Sequence, residues 1–152
     1  MKAFAFRLER VLRFRETQLR LGEARVSAAA GRVAGVRSAL ESRVAEVRES
    51  AAEVVKGPTG AVLGTYAAYT GRAGRQILSL QEQGAQAQKA LTAELHLLKD
   101  ASRKVRLLEK LQQKGRNRWQ GEFDREIAAF ADESFTSRLH AARVKSGGGT
   151  GA

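Results

Sequence analysis

The apolar residues in the first third of the chain fall on one line. Leu8, Leu12, Arg15, Leu19, Gly22, Val26, Ala29, Val33, Val36 and Leu40 alternate steps of four and three. That spacing is a heptad seam, the mark of a helix that buries a narrow stripe against another helix. Arg15 and Gly22 are its weak members. After Leu40 the line steps four again to Val44, then runs through Val47, Ala51 and Val54. Two successive fours are a stutter, which locally unwinds a coiled coil. Charges fill the gaps at Glu9, Arg10, Arg13, Glu16, Arg20 and Glu23. Opposite signs three or four residues apart support an exposed helix face.

The seam stops at "KGPTGAVLGT", where Pro58 and three glycines predict a turn. Thr59 or Thr65 is placed to cap the next helix. A second line then runs through Tyr66, Tyr69, Ala73, Ile77, Leu80, Gly84, Ala87, Leu91, Leu95, Leu98, Ala101, Val105 and Leu108. It weakens through Leu111 or Gln112 to Trp119, Phe123, Ile127 and Phe130, with Phe135 and Leu139 beyond.

A narrow stripe cannot be buried by its own helix. Two such helices joined by a short break bury their stripes against each other. The predicted fold is all-α: a long antiparallel two-helix coiled-coil hairpin, the second helix longer than the first. Its boundaries are arm one at 5–56, a tip at 57–64 and arm two at 65–140, within one unit over 1–145. A disordered Gly-rich tail is expected at 146–152. At 1.5 Å per residue the arms would be roughly 75 and 110 Å long. Folding about the tip sets Leu8 beside Lys110–Gln112 and leaves residues past about 113 without a partner in the chain. Interior glycines such as Gly22, Gly71, Gly74, Gly84, Gly115 and Gly121 cost about 1 kcal/mol each relative to Ala. The expected coiled coil is therefore marginal, and loosest near Gly71–Gly74 and Gly115–Gly121.

Composition agrees with long helices. Charged residues make up 28% of the 152, aromatics only 6%, and there is one Pro. There is no Cys, which excludes disulfides and thiolate metal sites. No run approaches the roughly 18 apolar residues that cross a bilayer. Arg7, Glu9 and Arg10 interrupt any signal-peptide core, so no leader is expected at the N-terminus.

The net charge of +11 is unevenly spread. Residues 101–121 hold seven basic side chains and only Glu109 against them. Arg103, Lys104, Arg106, Lys110, Lys114, Arg116 and Arg118 form this block, a contact surface for an acidic partner or phosphate. For nucleic acid, interleaved aromatics are also expected, and only Trp119 is near. Tyr66 and Tyr69 either fill the wide end of the seam or offer an aromatic handle to a partner. The stripe from Trp119 to Phe130 either folds back locally or docks on another protein.

Catalytic chemistry has no foothold in the pattern. His96 and His140 are far apart and lack ligand partners, and no G-x-x-x-x-G-K-[ST] loop occurs. A two-helix hairpin provides no concave pocket to align a nucleophile with a base. The expectation is a non-enzyme with no cofactor and no metal.

Three stretches, in this order, carry a resemblance: "FAFRLERVLRFRE" at the start, "TYAAYTGRAGRQILSLQEQ" after the turn, and "RKVRLLEKLQQKGRNRWQGEFDREIAAFADE" downstream. Together, over roughly residues 4–135, they resemble the flagellar FliJ proteins, soluble coiled-coil components of the flagellar type III export apparatus. The resemblance implies a central-stalk-like coiled coil that couples the hexameric export ATPase to the cytoplasmic domain of the export gate. It further implies handling of export chaperones, and a role in flagellum biogenesis, motility and chemotaxis. It implies a cytoplasmic location, peripheral to the inner membrane through the apparatus, with membrane contact only indirect. Tyr69, with Tyr66 nearby, matches the family's aromatic gate contact, and Ala73 stands where the family carries a larger aliphatic. Arg7, Arg10, Arg13, Arg106 and Lys110, at the paired helix ends, match the ATPase-facing part. The equivalent stalk of a virulence type III system, a basic helical nucleic-acid-binding protein, and an amphipathic helix on anionic membrane are the competing readings. No specific nucleic acid is expected.

Overall fold

A computed structural model describes residues 3–147. It consists of two helices packed against each other, α1 at Glu9–Lys56 and α2 at Gly60–Gly147. The tip is shorter than the sequence suggested: only residues 57–59 separate the helices, not 57–64. Thr59 accounts for this. Its side-chain Oγ1 accepts from the Val62 amide at 3.4 Å, and its carbonyl accepts from the Leu63 amide at 2.9 Å. This N-cap satisfies amides that a helix start otherwise leaves unpaired, so "GAVLGT" becomes the first turns of α2. The first arm also starts later than 5, because residues 3–6 have no regular structure and a turn leads into Glu9. Arm two runs past 140 to Gly147. The Gly-rich tail from 148 lies outside the described residues, while Ser146 and Gly147 close α2.

The chain divides into two compact units. One is Phe14–Val105; the other joins the residues up to Arg13 with those from Arg106 onward.

In the unit Phe14–Val105, the first arm's seam is as spaced. Gly22 and Ala29 are buried, and Leu19, Val26, Val33, Val36, Leu40 and Val44 are half-buried. The register rests on two close approaches. A Cβ on Gly22 would meet Leu98 Cδ1 at 3.3 Å, and one on Gly84 would meet Val36 Cγ1 at 3.6 Å. Residues whose numbers sum to about 120 therefore face each other. By that rule Val44, the end of the stutter Val36–Leu40–Val44, faces Ile77, the end of the double step Tyr69–Ala73–Ile77. The two double steps thus fall at neighbouring levels, where such spacing favours local unwinding.

The second arm's seam differs from the expectation at one position in this unit. Leu95 is 47% exposed, and Glu94 takes the half-buried place. The run Ala87, Leu91, Glu94, Leu98, Ala101, Val105 keeps strict alternation of four and three, and Leu95 breaks it. Geometry, not side-chain type, chose the residue. One Glu94 carboxylate oxygen, Oε2, is consequently buried without a hydrogen-bond partner.

In the other unit, Leu12 is buried and the Gln112 amide donates to Glu9 Oε2 at 3.1 Å. The expected register holds there, but Leu8 and Leu111 lie on its outside, 39% and 51% exposed. Gln112 and Gly115 continue the four-three alternation instead. Residues past 113 are not all without a partner. The segment before α1 lays Phe4 over them: its ring centroid is 6.3 Å from Trp119, and its edge would be 3.5 Å from a Gly115 Cβ. Trp119 in turn stacks on Phe123 at 5.5 Å and 8°.

Ion pairs link residues three or four apart on the same helix. Arg37 Nε donates to Glu41 at 3.0 Å and Arg43 Nη1 to Glu46 at 2.6 Å. Exposed pairs of this kind contribute about 0.3–0.5 kcal/mol each, so the seam, not charge, holds the helices together.

Candidate partner-binding surfaces

The first surface lies beside the tip. Because α1 ends at Lys56 and α2 starts at Gly60, the last turns of α1 and the first of α2 frame an open groove of ≈ 650 Å³. Val54, Ala61, Val62, Thr65, Tyr66 and Tyr69 line it. Both tyrosines are half-buried. Both also line the groove. Ala73 is different: it is 2% exposed, held between the helices, and its methyl is not accessible to a partner. The larger aliphatic expected at that position would not fit here without repacking. Sequence reasoning missed Val55, Val62 and Leu63, which stand 79%, 41% and 49% exposed around the tip. For Val62 and Leu63 the signal was present, since "VLG" falls within the break and off both seams; Val55 lies off the first seam at the end of α1.

The second surface is the end where Glu9 meets Gln112. Arg7 lies in the turn before α1, and Arg10 and Arg13 lie on the helix's first turns, all exposed. Arg13 Nε donates to Glu9 Oε1 at 3.2 Å, so part of its charge is neutralised within the helix. Arg106 and Lys110 are exposed on α2 in the same unit. Arg116 lies over the Phe4 ring at 5.9 Å, a cation–π contact that fixes it beside the N-terminal segment. Lys114 and Arg118 are exposed. Arg103 and Lys104 belong to the other unit, where Arg103 approaches Asp100 at 3.9 Å. The predicted basic block is thus real as a run of exposed cations, but its members point to several sides of α2.

A third feature is a shallow groove of ≈ 350 Å³ in the unit Phe14–Val105, with Phe14 and Leu97 on its walls and Glu94 among its lining. Phe14 and Leu97 are each more than half exposed, and Arg15 sits over the Phe14 ring at 5.7 Å. These side chains lie beside the seam, where heptad counting assigns nothing.

Among the described residues no group of three His, Cys, Asp or Glu is placed to hold a metal ion, and no helix is long and apolar enough to cross a membrane. What the surfaces offer chemically is contact: aromatic edges and apolar side chains at one place, cations at another. Residues 4–145 match the family model described as "Flagellar FliJ protein". No curated protein and no solved structure matches the chain.

Proposed function

The chain belongs to the flagellar FliJ family, and from that premise we propose that it is a stalk-like coupling rod between the hexameric flagellar export ATPase and the export gate. Membership makes it a component of flagellar protein export. The finer role is read from the two surfaces. The cationic end, with Arg7, Arg10, Arg13, Arg106 and Lys110, is the side for the ATPase. The tyrosine groove, with Tyr66 and Tyr69, is the side for the cytoplasmic domain of the gate. Export chaperones are handed on by the same molecule. The protein itself catalyses nothing, uses no cofactor, and works in the cytoplasm, reaching the membrane through the apparatus alone.

The observation that carries this reading is the family match over residues 4–145, nearly the whole chain. Two exposed surfaces of different chemistry support it. An aromatic groove suits an apolar partner surface, and a cluster of arginines suits an acidic one.

The test uses purified full-length chain with the cognate ATPase and the soluble gate domain. Wild type is expected to bind both and to raise ATP hydrolysis. Tyr69→Ala should weaken gate binding at least tenfold and leave ATPase stimulation intact. Charge reversal at Arg7, Arg10 and Lys110 should do the opposite. A chain that neither binds nor stimulates the ATPase would refute the coupling role.

A further inference from the structure

Past the reach of Phe4, α2 carries an apolar ridge that nothing among the described residues covers. Phe123, Ile127, Ala131, Phe135 and Leu139 succeed each other at intervals of four. Phe123 is half-buried under Trp119, whereas Ile127, Phe135 and Leu139 are each more than half exposed. A row of i±4 residues is the ridge that helices most often use to pack on one another, commonly at about −50°. The ridge is flanked by acid. Over residues 122–139 the acids Glu122, Asp124, Glu126, Asp132 and Glu133 stand against Arg125 and Arg138; at about 100° per residue Asp124, Glu126 and Asp132 border the ridge together with Arg138, while Glu133 and Arg125 lie on the far side. Glu122, Glu126, Asp132 and Glu133 make no ion pair among the described residues.

The same unit holds the complement. Leu107 and Leu111, also four apart, are 61% and 51% exposed. At about 100° per residue, Lys110, Lys114 and Arg118 share their side of the helix. All three are exposed and take part in no ion pair among the described residues. One surface is thus an apolar row edged with carboxylates, and the other an apolar pair edged with cations.

The chain cannot satisfy itself. Both surfaces sit on one uninterrupted helix, Gly60–Gly147, so neither can fold back on the other. Nor does a symmetric pair engage both at once. Ile127 stands about 160° around the helix from Leu111. The contact is therefore between unlike surfaces, and such contacts repeat.

We propose that the acidic-edged ridge Phe123–Leu139 of one copy docks on the Leu107–Arg118 face of a second copy, head to tail, so that free chains associate in open series. The association does not depend on the coupling role.

Sedimentation velocity of the full chain tests it. At low salt the average sedimentation coefficient should climb steadily with concentration, without a plateau at two copies. In 0.5 M NaCl the association should weaken several-fold, because exposed charge pairs are screened. A ridge variant, Ile127→Lys with Phe135→Lys, and a face variant, Lys110→Glu with Lys114→Glu, should each lose at least tenfold in association. All four positions are exposed, so circular dichroism and melting should match wild type. An equimolar mixture of the two variants retains one good ridge and one good face. It should form two-chain complexes and nothing longer. The inference is overturned if wild type stays monomeric throughout, if salt has no effect, if the face variant associates like wild type, or if the mixture gives no two-chain complex.

Discussion

Gly84→Ala should make the protein more stable, and the size of the gain can be worked from the seam. Gly84 sits half-buried in the middle of α2 with a negative φ, so it serves no turn. Replacing it by Ala recovers about 1 kcal/mol of helix propensity. The added methyl would lie 3.6 Å from Val36 Cγ1, ordinary van der Waals contact. Half-burying one methyl adds about 0.4 kcal/mol at roughly 0.8 per buried carbon. The sum is about 1.4 kcal/mol, or roughly 3–6 °C in Tm for a chain of this size. Two controls separate the terms. Gly31 has nothing within 4 Å of its added Cβ, so Gly31→Ala should gain propensity only, about 1 kcal/mol. Gly22→Ala would press 3.3 Å against Leu98 Cδ1, which must give way, and should gain less than either. The assay is thermal and urea unfolding tracked by circular dichroism at about 222 nm, where helix dominates the signal. The expected order is Gly84 above Gly31 above Gly22. A lower Tm for Gly84→Ala, or a larger gain at Gly22, would refute the register that pairs Gly84 with Val36.

Three further outcomes rest on single contacts. Glu94→Leu removes a buried oxygen without a partner and should raise stability by about 1–2 kcal/mol, read as a higher urea midpoint. Thr59→Ala removes the cap of α2 and should cost about 1 kcal/mol, with Thr59→Ser recovering most of it. Phe4→Ala should cost about 0.5–1.5 kcal/mol in ring contact alone and shift Trp119 fluorescence to longer wavelength as water reaches the indole.

Much of the fold was legible because a coiled coil is a periodic object. The steps from Leu12 to Val54 named the buried side of α1, and the Gly/Pro break placed the reversal. Sequence and structure part where residue type competes with period. Leu95 and Leu111 look like core, yet the unbroken four-three beat passes through Glu94, Gln112 and Gly115. The tip reads too long because the glycines at 60 and 64 resemble breakers, while the cap at Thr59 overrides them. Of the candidate surfaces, the tyrosines and arginines were visible as residue types. The burial of Ala73 was not, since a small residue in a seam reads the same whether it faces a partner or the neighbouring helix. Phe4 reaching over Gly115 and Trp119 was also invisible, because a short segment with no pattern of its own makes that contact.

The hydrogen bond from Gln112 to Glu9 joins residues 103 positions apart. During synthesis the segment around Phe4 and Glu9 therefore leaves the ribosome well before the residues it pairs with. At roughly 5–20 residues per second that wait is about 5–20 s. Loop closure favours contacts between near neighbours in sequence. Pairing that spreads outward from the reversal at residues 57–59 would fasten Glu9 to Gln112 late.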